Sequence, residues 1–257
     1  MKKNTLNDRR SFLKRATTFG VGASLPFGLL NAIPTSFAGE AGDGYTFLFQ
    51  GDSISDGNRT RDKDWNHVMG HGYQYIIASK LWYDFPKKDF HFFNRGISGN
   101  KVTDLTVRWQ KDALDLKPDL LSILIGINDV SAFLAGEKNF TPEEYEKNYR
   151  ALLLQTKEQL PGIDFVLCEP FVLPVGRVKE KWTDYSTEVA KRGHIVRRLS
   201  IEFDAVFVEF QKPFNNALSK APAEYWIWDG IHPMPAGHEL MALEWMKQVG
   251  MKLKFIR

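Results

Sequence analysis

One cysteine, Cys168, stands in 257 residues, so no disulfide can close within the chain and a disulfide-stapled scaffold is excluded. Nowhere do roughly 18–20 apolar residues run without interruption, the length a spanning helix needs. An excess of one charge is also missing. Lys and Arg number 34 against 31 Asp and Glu, but Lys2, Lys3, Arg9, Arg10, Lys14 and Arg15 face only Asp8 within the first 38 residues. Beyond them 28 basic side chains meet 30 acidic ones. That near-neutral mixture makes no phosphate-tracking surface, and no nucleic-acid partner is expected. No repeat, low-complexity tract or linker divides the chain. An apolar content of 43% excludes a disordered or collagen-like chain, and the length is ample for one large core.

The first 38 residues read as an export leader. Asn7-Asp8-Arg9-Arg10-Ser11-Phe12-Leu13-Lys14 resembles the twin-arginine signal of bacterial Tat export. A weakly apolar stretch over 16–33 contains Gly20, Gly22 and Pro26, and Ser36-Phe37-Ala38 puts small residues where a signal peptidase reads. The alternative is an ordinary basic amphipathic N-terminus. The expectation is a twin-arginine-type leader over 1–38, one folded domain over 39–257, and a periplasmic or secreted product. No cysteine lies near the cleavage site, so no lipid or other stable membrane anchor is expected. Cys168, inside the run Phe165-Val166-Leu167-Cys168, reads as a small buried hydrophobe.

Apolar runs at 45–50, 90–94, 120–125, 163–168 and 205–208 predict five strands; the nearly continuous run at 120–125 suits a strand buried on both faces. Helical spacing recurs at 72–83, 102–116, 184–203 and 235–249. A further helix opens at Thr141-Pro142-Glu143-Glu144, where Thr141 can cap and Glu144 can complete a capping box. Tyr145, Tyr149, Leu152, Leu153, Thr156 and Leu160 mark its inward face. This alternation predicts an α/β fold: a five-stranded parallel sheet between two helical layers, with ligands at the carboxyl ends of the strands.

Four short blocks fall at those ends. Gly51-Asp52-Ser53-Ile54-Ser55-Asp56 follows the first strand, and a serine on such a turn can hold its hydroxyl clear of the backbone. Taken alone, this block favours Ser53 as a loop cap. Asn94-Arg95-Gly96-Ile97-Ser98-Gly99-Asn100 follows the second strand, where glycine lets a backbone N–H approach a substrate oxygen. Gly126-Ile127-Asn128-Asp129 follows the third, and Asn128 can offer a side-chain N–H₂. For both, ordinary turn chemistry is the alternative. Trp228-Asp229-Gly230-Ile231-His232-Pro233 precedes the last helix. Asp and His three apart can pair carboxylate with Nδ1–H and leave Nε2 to accept a hydroxyl proton.

In this order and at these places, the four blocks resemble those of the SGNH hydrolases, also called the GDSL family of esterases and lipases. The likeness spans 45–250. Within the family the chain looks closest to the carbohydrate acetylesterases typified by acetylxylan esterases, on Gly72-Tyr73, 94–100, Val102-Thr103-Asp104-Leu105, Arg108-Trp109, Lys117-Pro118-Asp119, 122–130, His232-Pro233 and Ala236-Gly237-His238. Ser55-Asp56-Gly57-Asn58 departs from the Thr-Asp, small residue, Gly-Arg common among relatives. It lies beside the nucleophile, bears on the pocket entrance and removes no catalytic group.

The resemblance implies a flavodoxin-like three-layer α/β/α sandwich and a serine esterase working through an acyl-enzyme. It implies Ser53 as nucleophile, His232 as base and Asp229 as its orienter, with the N–H groups of Ser53 and Gly99 and the Asn128 amide as oxyanion hole. No cofactor and no metal are required. The expected partner is an acetylated carbohydrate; homo-oligomerisation is left open. Trp65, Trp226 and Trp228 are candidate sugar platforms, whereas Trp82, Trp109 and Trp245 fall on predicted inward helical faces. His67 and His71, four apart, lack a third metal ligand. His91 and His194 read as structural or surface residues, and His238 as a packing or capping one. Asp52 and Asp129 read as acceptors for turn N–H groups. The competing readings are a lipid, thioester or peptidoglycan O-acyl hydrolase of the same family, and a carbohydrate-binding protein on an inactive hydrolase scaffold. The chain carries no long apolar lid segment, which leans against a lipase.

Overall fold

The structure is a computed structural model that describes residues 44–253 apart from 63 and 65. The leader expected over 1–38 and the candidate platform Trp65 lie outside the described residues.

Five strands form one parallel sheet: β1 (Tyr45–Gly51), β2 (Phe90–Asn94), β3 (Leu120–Leu124), β4 (Asp164–Cys168) and β5 (Val206–Val208), in the order β2-β1-β3-β4-β5. The chain moves from β1 to one side for β2, then crosses to the other side of β1 for β3. β1 and β3 stay paired to their carboxyl ends, Gly51 against Leu124, and this point where the strand order reverses is where open α/β sheets bind ligands.

Alternation along each strand sends side chains into two cores. Phe47, Phe49, Leu120 and Leu124 pack with α2 (Tyr73–Asp84) and α9 (Pro235–Lys252), while Leu48, Leu121 and Ile123 pack with α3 (Val102–Asp112), α5 (Pro142–Gln159) and α6 (Trp182–Glu202). Both faces are covered, which is why these strands read as unbroken apolar runs. Trp245 of α9 donates its Nε1–H to Ser122 Oγ at 3.0 Å, and Trp109 of α3 donates to Thr156 Oγ1 at 2.9 Å, so each buried indole is satisfied. Cys168 is fully buried, and burial pushes its thiol up to about 12.

Several sequence expectations shift in detail. The helix expected over 102–116 ends at Asp112 and continues as a 3₁₀ turn, Leu114–Leu116, because Lys117 adopts φ +45° just before Pro118. Thr141 caps α5 by accepting from Glu144 N–H at 3.3 Å. Leu160 lies past the end of that helix and is only half-buried. Trp82 does not point into the core: it is 36% exposed, with its indole edge against Phe92 and its N–H on the Phe90 carbonyl. It sits beside β2, an edge strand, where no further strand among the described residues extends the sheet to bury it. No helix among the described residues is long and apolar enough to cross a membrane.

Candidate active site

Ser53 opens α1 (Ser53–Asp56), a single turn that begins as soon as β1 ends. Asp52 caps that turn, its Oδ1 accepting from Ile54 N–H at 3.0 Å. Buried completely, the Asp52 carboxyl is pushed up to about 7, with the Ile54 N–H opposing.

The opposite partner arrives from the far end of the sequence. An antiparallel bridge, Ile227 to Pro233, pinches the chain into a small loop, with Trp228 N–H on the His232 carbonyl at 3.2 Å and Met234 N–H on that of Trp226 at 2.8 Å. Inside it, Asp229 Oδ1 accepts from the backbone N–H groups of Ile231 (3.0 Å) and His232 (2.7 Å). Asp229 Oδ2 lies 2.8 Å from His232 Nδ1, and His232 Nε2 lies 2.8 Å from Ser53 Oγ. Burial alone would raise the Asp229 carboxyl. The imidazole and the two backbone N–H groups outweigh it and hold Asp229 down at about 2. An ionised Asp229 fixes the proton on Nδ1, so the Nε2 lone pair faces the serine hydroxyl.

The turn after β2 is lashed to the serine turn. Asn94, fully buried at the end of β2, donates from Nδ2 to the carbonyls of Ser55 (2.6 Å), Met69 (3.0 Å) and Asp56 (3.3 Å), and accepts from Gly96 N–H at 2.9 Å. Ile97 N–H reaches the Gly51 carbonyl at 3.1 Å. Arg59 Nε donates to the Gly96 carbonyl at 3.0 Å. Asp56 Oδ2 takes both the N–H and the hydroxyl of Ser98, and Arg61 as well. Arg108, from α3, spans the Asn100 side chain (2.9 Å) and the Arg95 carbonyl (2.7 Å). Gly99 sits at the tip with φ +84° and open space where a side chain would project, so glycine is required by backbone conformation and leaves room above its N–H.

Asn128 lies in the first turn of α4 (Ile127–Leu134), directly after β3. Its Nδ2 donates to the Asn100 carbonyl at 3.0 Å, which joins it to the Gly99 turn and leaves its second N–H uncommitted. The N–H groups of Ser53 and Gly99 have no acceptor among the described residues. Asp129 is buried, accepts from Val102 N–H at 3.2 Å, and is pushed by burial up to about 7, with that N–H opposing. It holds α3 to α4, as Asp52 holds α1.

The tryptophans divide. Trp228 is 61% exposed and lies nearly parallel to the His232 ring, centroids 6.3 Å apart at 24°. Trp226, the other candidate, is half-buried against the core, its N–H on the Ala221 carbonyl and its ring edge-on to Tyr225. It ends the short helix α8 (Ala223–Trp226), directly before the bridge that shapes the Asp229–His232 loop. Among the described residues no three His, Cys, Asp or Glu converge as a metal site; His67 pairs with Asp64 instead. His238 is buried and accepts from Tyr73 N–H at Nδ1, 3.2 Å away. One contact escaped the sequence reading: Arg177 Nη2 lies 3.2 Å from Asp229 Oδ2. No local pattern marks an arginine in a loop as facing this pair.

Residues 49–240 match the model of the GDSL-like lipase/acylhydrolase family. The chain belongs to this family. GDSL members similar to it include an acetylxylan esterase from Geobacillus stearothermophilus, 34% identical over 221 residues, which cover 81% of this chain and 95% of the relative. The crystal structure of an acetylxylan esterase from that organism covers the same shares at 33% identity and a TM-score of 0.71. A structure from Parabacteroides merdae described as a GDSL-like lipase is 42% identical, covers 80% of this chain and 95% of that one, and gives a TM-score of 0.77. This GDSL chain is a carboxylic ester hydrolase.

Proposed function

We propose that this protein removes O-acetyl groups from a carbohydrate, a xylan-type or other acetylated polysaccharide or its oligosaccharides, through an acetyl-enzyme on Ser53. The observation that carries the reading is the run of 2.8 Å contacts from Ser53 Oγ through His232 to Asp229. His232 Nε2 takes the hydroxyl proton as Oγ attacks the ester carbonyl. Asp229 keeps the imidazole in the right tautomer and balances its positive charge. The oxyanion is received by the N–H groups of Ser53 and Gly99 and the free amide hydrogen of Asn128. Collapse expels the sugar oxygen, which takes the proton from His232. Water, deprotonated by the same nitrogen, then splits the acetyl-enzyme to acetate and restores the serine.

The carbohydrate part of the reading is supported by the exposed Trp228 ring beside His232, a surface on which a sugar can stack, and by the acetylxylan esterases among the relatives. The leader-like first 38 residues fit a periplasmic or secreted enzyme, where such glycans are met.

The test is a panel of acetylated oligosaccharides and an ester series from acetate to eight carbons and longer, with Ser53→Ala alongside. Release of acetate from glycans, preference for acetate and loss of turnover in a folded Ser53→Ala protein are expected. Preference for long chains, or turnover that survives Ser53→Ala, rejects the proposal.

A further inference from the structure

The triad carboxylate is complete without Arg177. Asp229 Oδ1 holds two backbone N–H groups and Oδ2 holds the imidazole, yet the Arg177 guanidinium adds a further contact at 3.2 Å to Oδ2 and lies 3.5 Å from His232 Nδ1. Only Nη2 is engaged. Nε and Nη1 take no partner among the described residues, and the side chain is 56% exposed. Arg177 thus flanks the same imidazole as the exposed Trp228 ring.

Its position is built into the fold. Arg177 lies in a 3₁₀ turn, Gly176–Lys181, that is pressed onto the triad loop. A Cβ at Gly176 would stand 2.5 Å from Asp229 Cα, so only glycine allows that approach. Leu173 N–H is bonded to the Gly230 carbonyl at 3.1 Å, and Val178, the residue after Arg177, is fully buried in the core. The turn itself is cationic: Arg177, Lys179 and Lys181 against Glu180. A fork of guanidinium N–H groups is suited to a carboxylate, which it can grip with two parallel bonds. The carboxylate within reach, Asp229, is already committed to the imidazole.

We infer that Arg177 is a specificity-determining residue that recognises a carboxylate on the substrate, so that the site favours O-acetyl groups beside a uronic acid unit over those on a neutral chain. The inference rests on the carbohydrate reading above and narrows its substrate class. A sugar stacked on Trp228 would lie beside the imidazole that Arg177 also flanks, within range of a neighbouring substituent. The carboxylate then supplies binding energy without taking part in the proton transfers.

The experiment compares kcat/KM on an acetylated xylooligosaccharide bearing a uronic acid branch with that on its neutral counterpart, at low and high salt, for the wild type, Arg177→Gln and Arg177→Lys. The quantity read is the ratio of the two substrates within each protein, which a general loss of stability leaves unchanged. The wild type is expected to favour the charged substrate about tenfold, mostly through KM, as befits one charge-assisted pair at a partly exposed site. The ratio should fall toward one in Arg177→Gln, stay intermediate in Arg177→Lys, and shrink in the wild type as salt rises. A wild-type ratio of one, or a preference that survives Arg177→Gln or ignores salt, overturns the inference while leaving glycan deacetylation standing. Failure to hydrolyse either glycan, with an activated acetate ester still turned over, rejects the carbohydrate reading and this inference with it.

Discussion

Asn94→Ala tests whether the turn after β2 is held in place by a single buried amide. The side chain makes four hydrogen bonds, but their loss is unequal. The Met69 carbonyl keeps the Gln74 Nε2 donor at 2.8 Å, and the Asp56 carbonyl keeps Arg59 N–H at 2.9 Å. Among the described residues the Ser55 carbonyl and the Gly96 N–H have no second partner. Two buried backbone groups left unpaired at roughly 1–3 kcal/mol each predict a loss of about 2–5 kcal/mol, allowing for some entry of water. These groups sit on the two turns that carry Ser53 and Gly99, so kcat should fall along with stability. Urea unfolding gives the first quantity and turnover of an activated acetate ester the second. Asn94→Asp keeps an acceptor for Gly96 but turns a second oxygen toward three carbonyls, and should be at least as damaging. A loss below about 1 kcal/mol with kcat intact, in either variant, would refute the clamp.

Asn128→Ala should lower kcat on the acetate ester by roughly 10²–10³ with a smaller change in KM; an effect confined to KM would show that Asn128 only binds substrate. Trp228→Ala should cost more on an acetylated oligosaccharide than on a small aryl acetate, and equal losses on both would remove the ring as a sugar platform. His238 yields a pH prediction. Burial, with smaller effects from His71 and His232, pushes its imidazole down to about 4, so the native state refuses a proton that the unfolded chain accepts below about 6.5. Stability from this group is therefore whole above that pH and declines as pH falls from about 6.5 to 4, by about 3 kcal/mol in all. In His238→Asn, whose amide oxygen stands where Nδ1 does and can still accept from Tyr73 N–H, unfolding measured between pH 4 and 7 should show a shallower decline; superimposable slopes would count against it.

Much of the site was legible because its chemistry is local. Ser53, Gly99 and Asn128 each follow a strand written as an apolar run, and Asp229 with His232 share one turn. The strands themselves were readable because both faces of the sheet are covered. What stayed hidden depends on which element lies alongside. Trp82 has the helical spacing of a core residue, but α2 flanks the edge strand. Trp226 and Trp228 look equivalent two apart, but the first is half-buried against the core while the second, inside the loop closed by the Ile227–Pro233 bridge, is exposed beside His232. Asn94 reads as a turn residue, because nothing in its neighbourhood reveals three carbonyls converging from 39, 38 and 25 positions away. Arg177 reads as one charge in a charged stretch, since its partner Asp229 comes from another loop.

The serine hydroxyl and the imidazole that faces it are separated by 179 positions, and the second is delivered by the segment just ahead of α9. On the mechanism proposed above, β1 and its turn supply a nucleophile whose base arrives only when the loop pinched off by the Ile227–Pro233 bridge has docked against it. Hydrolysis by that route would therefore read out long-range folding rather than the serine turn alone.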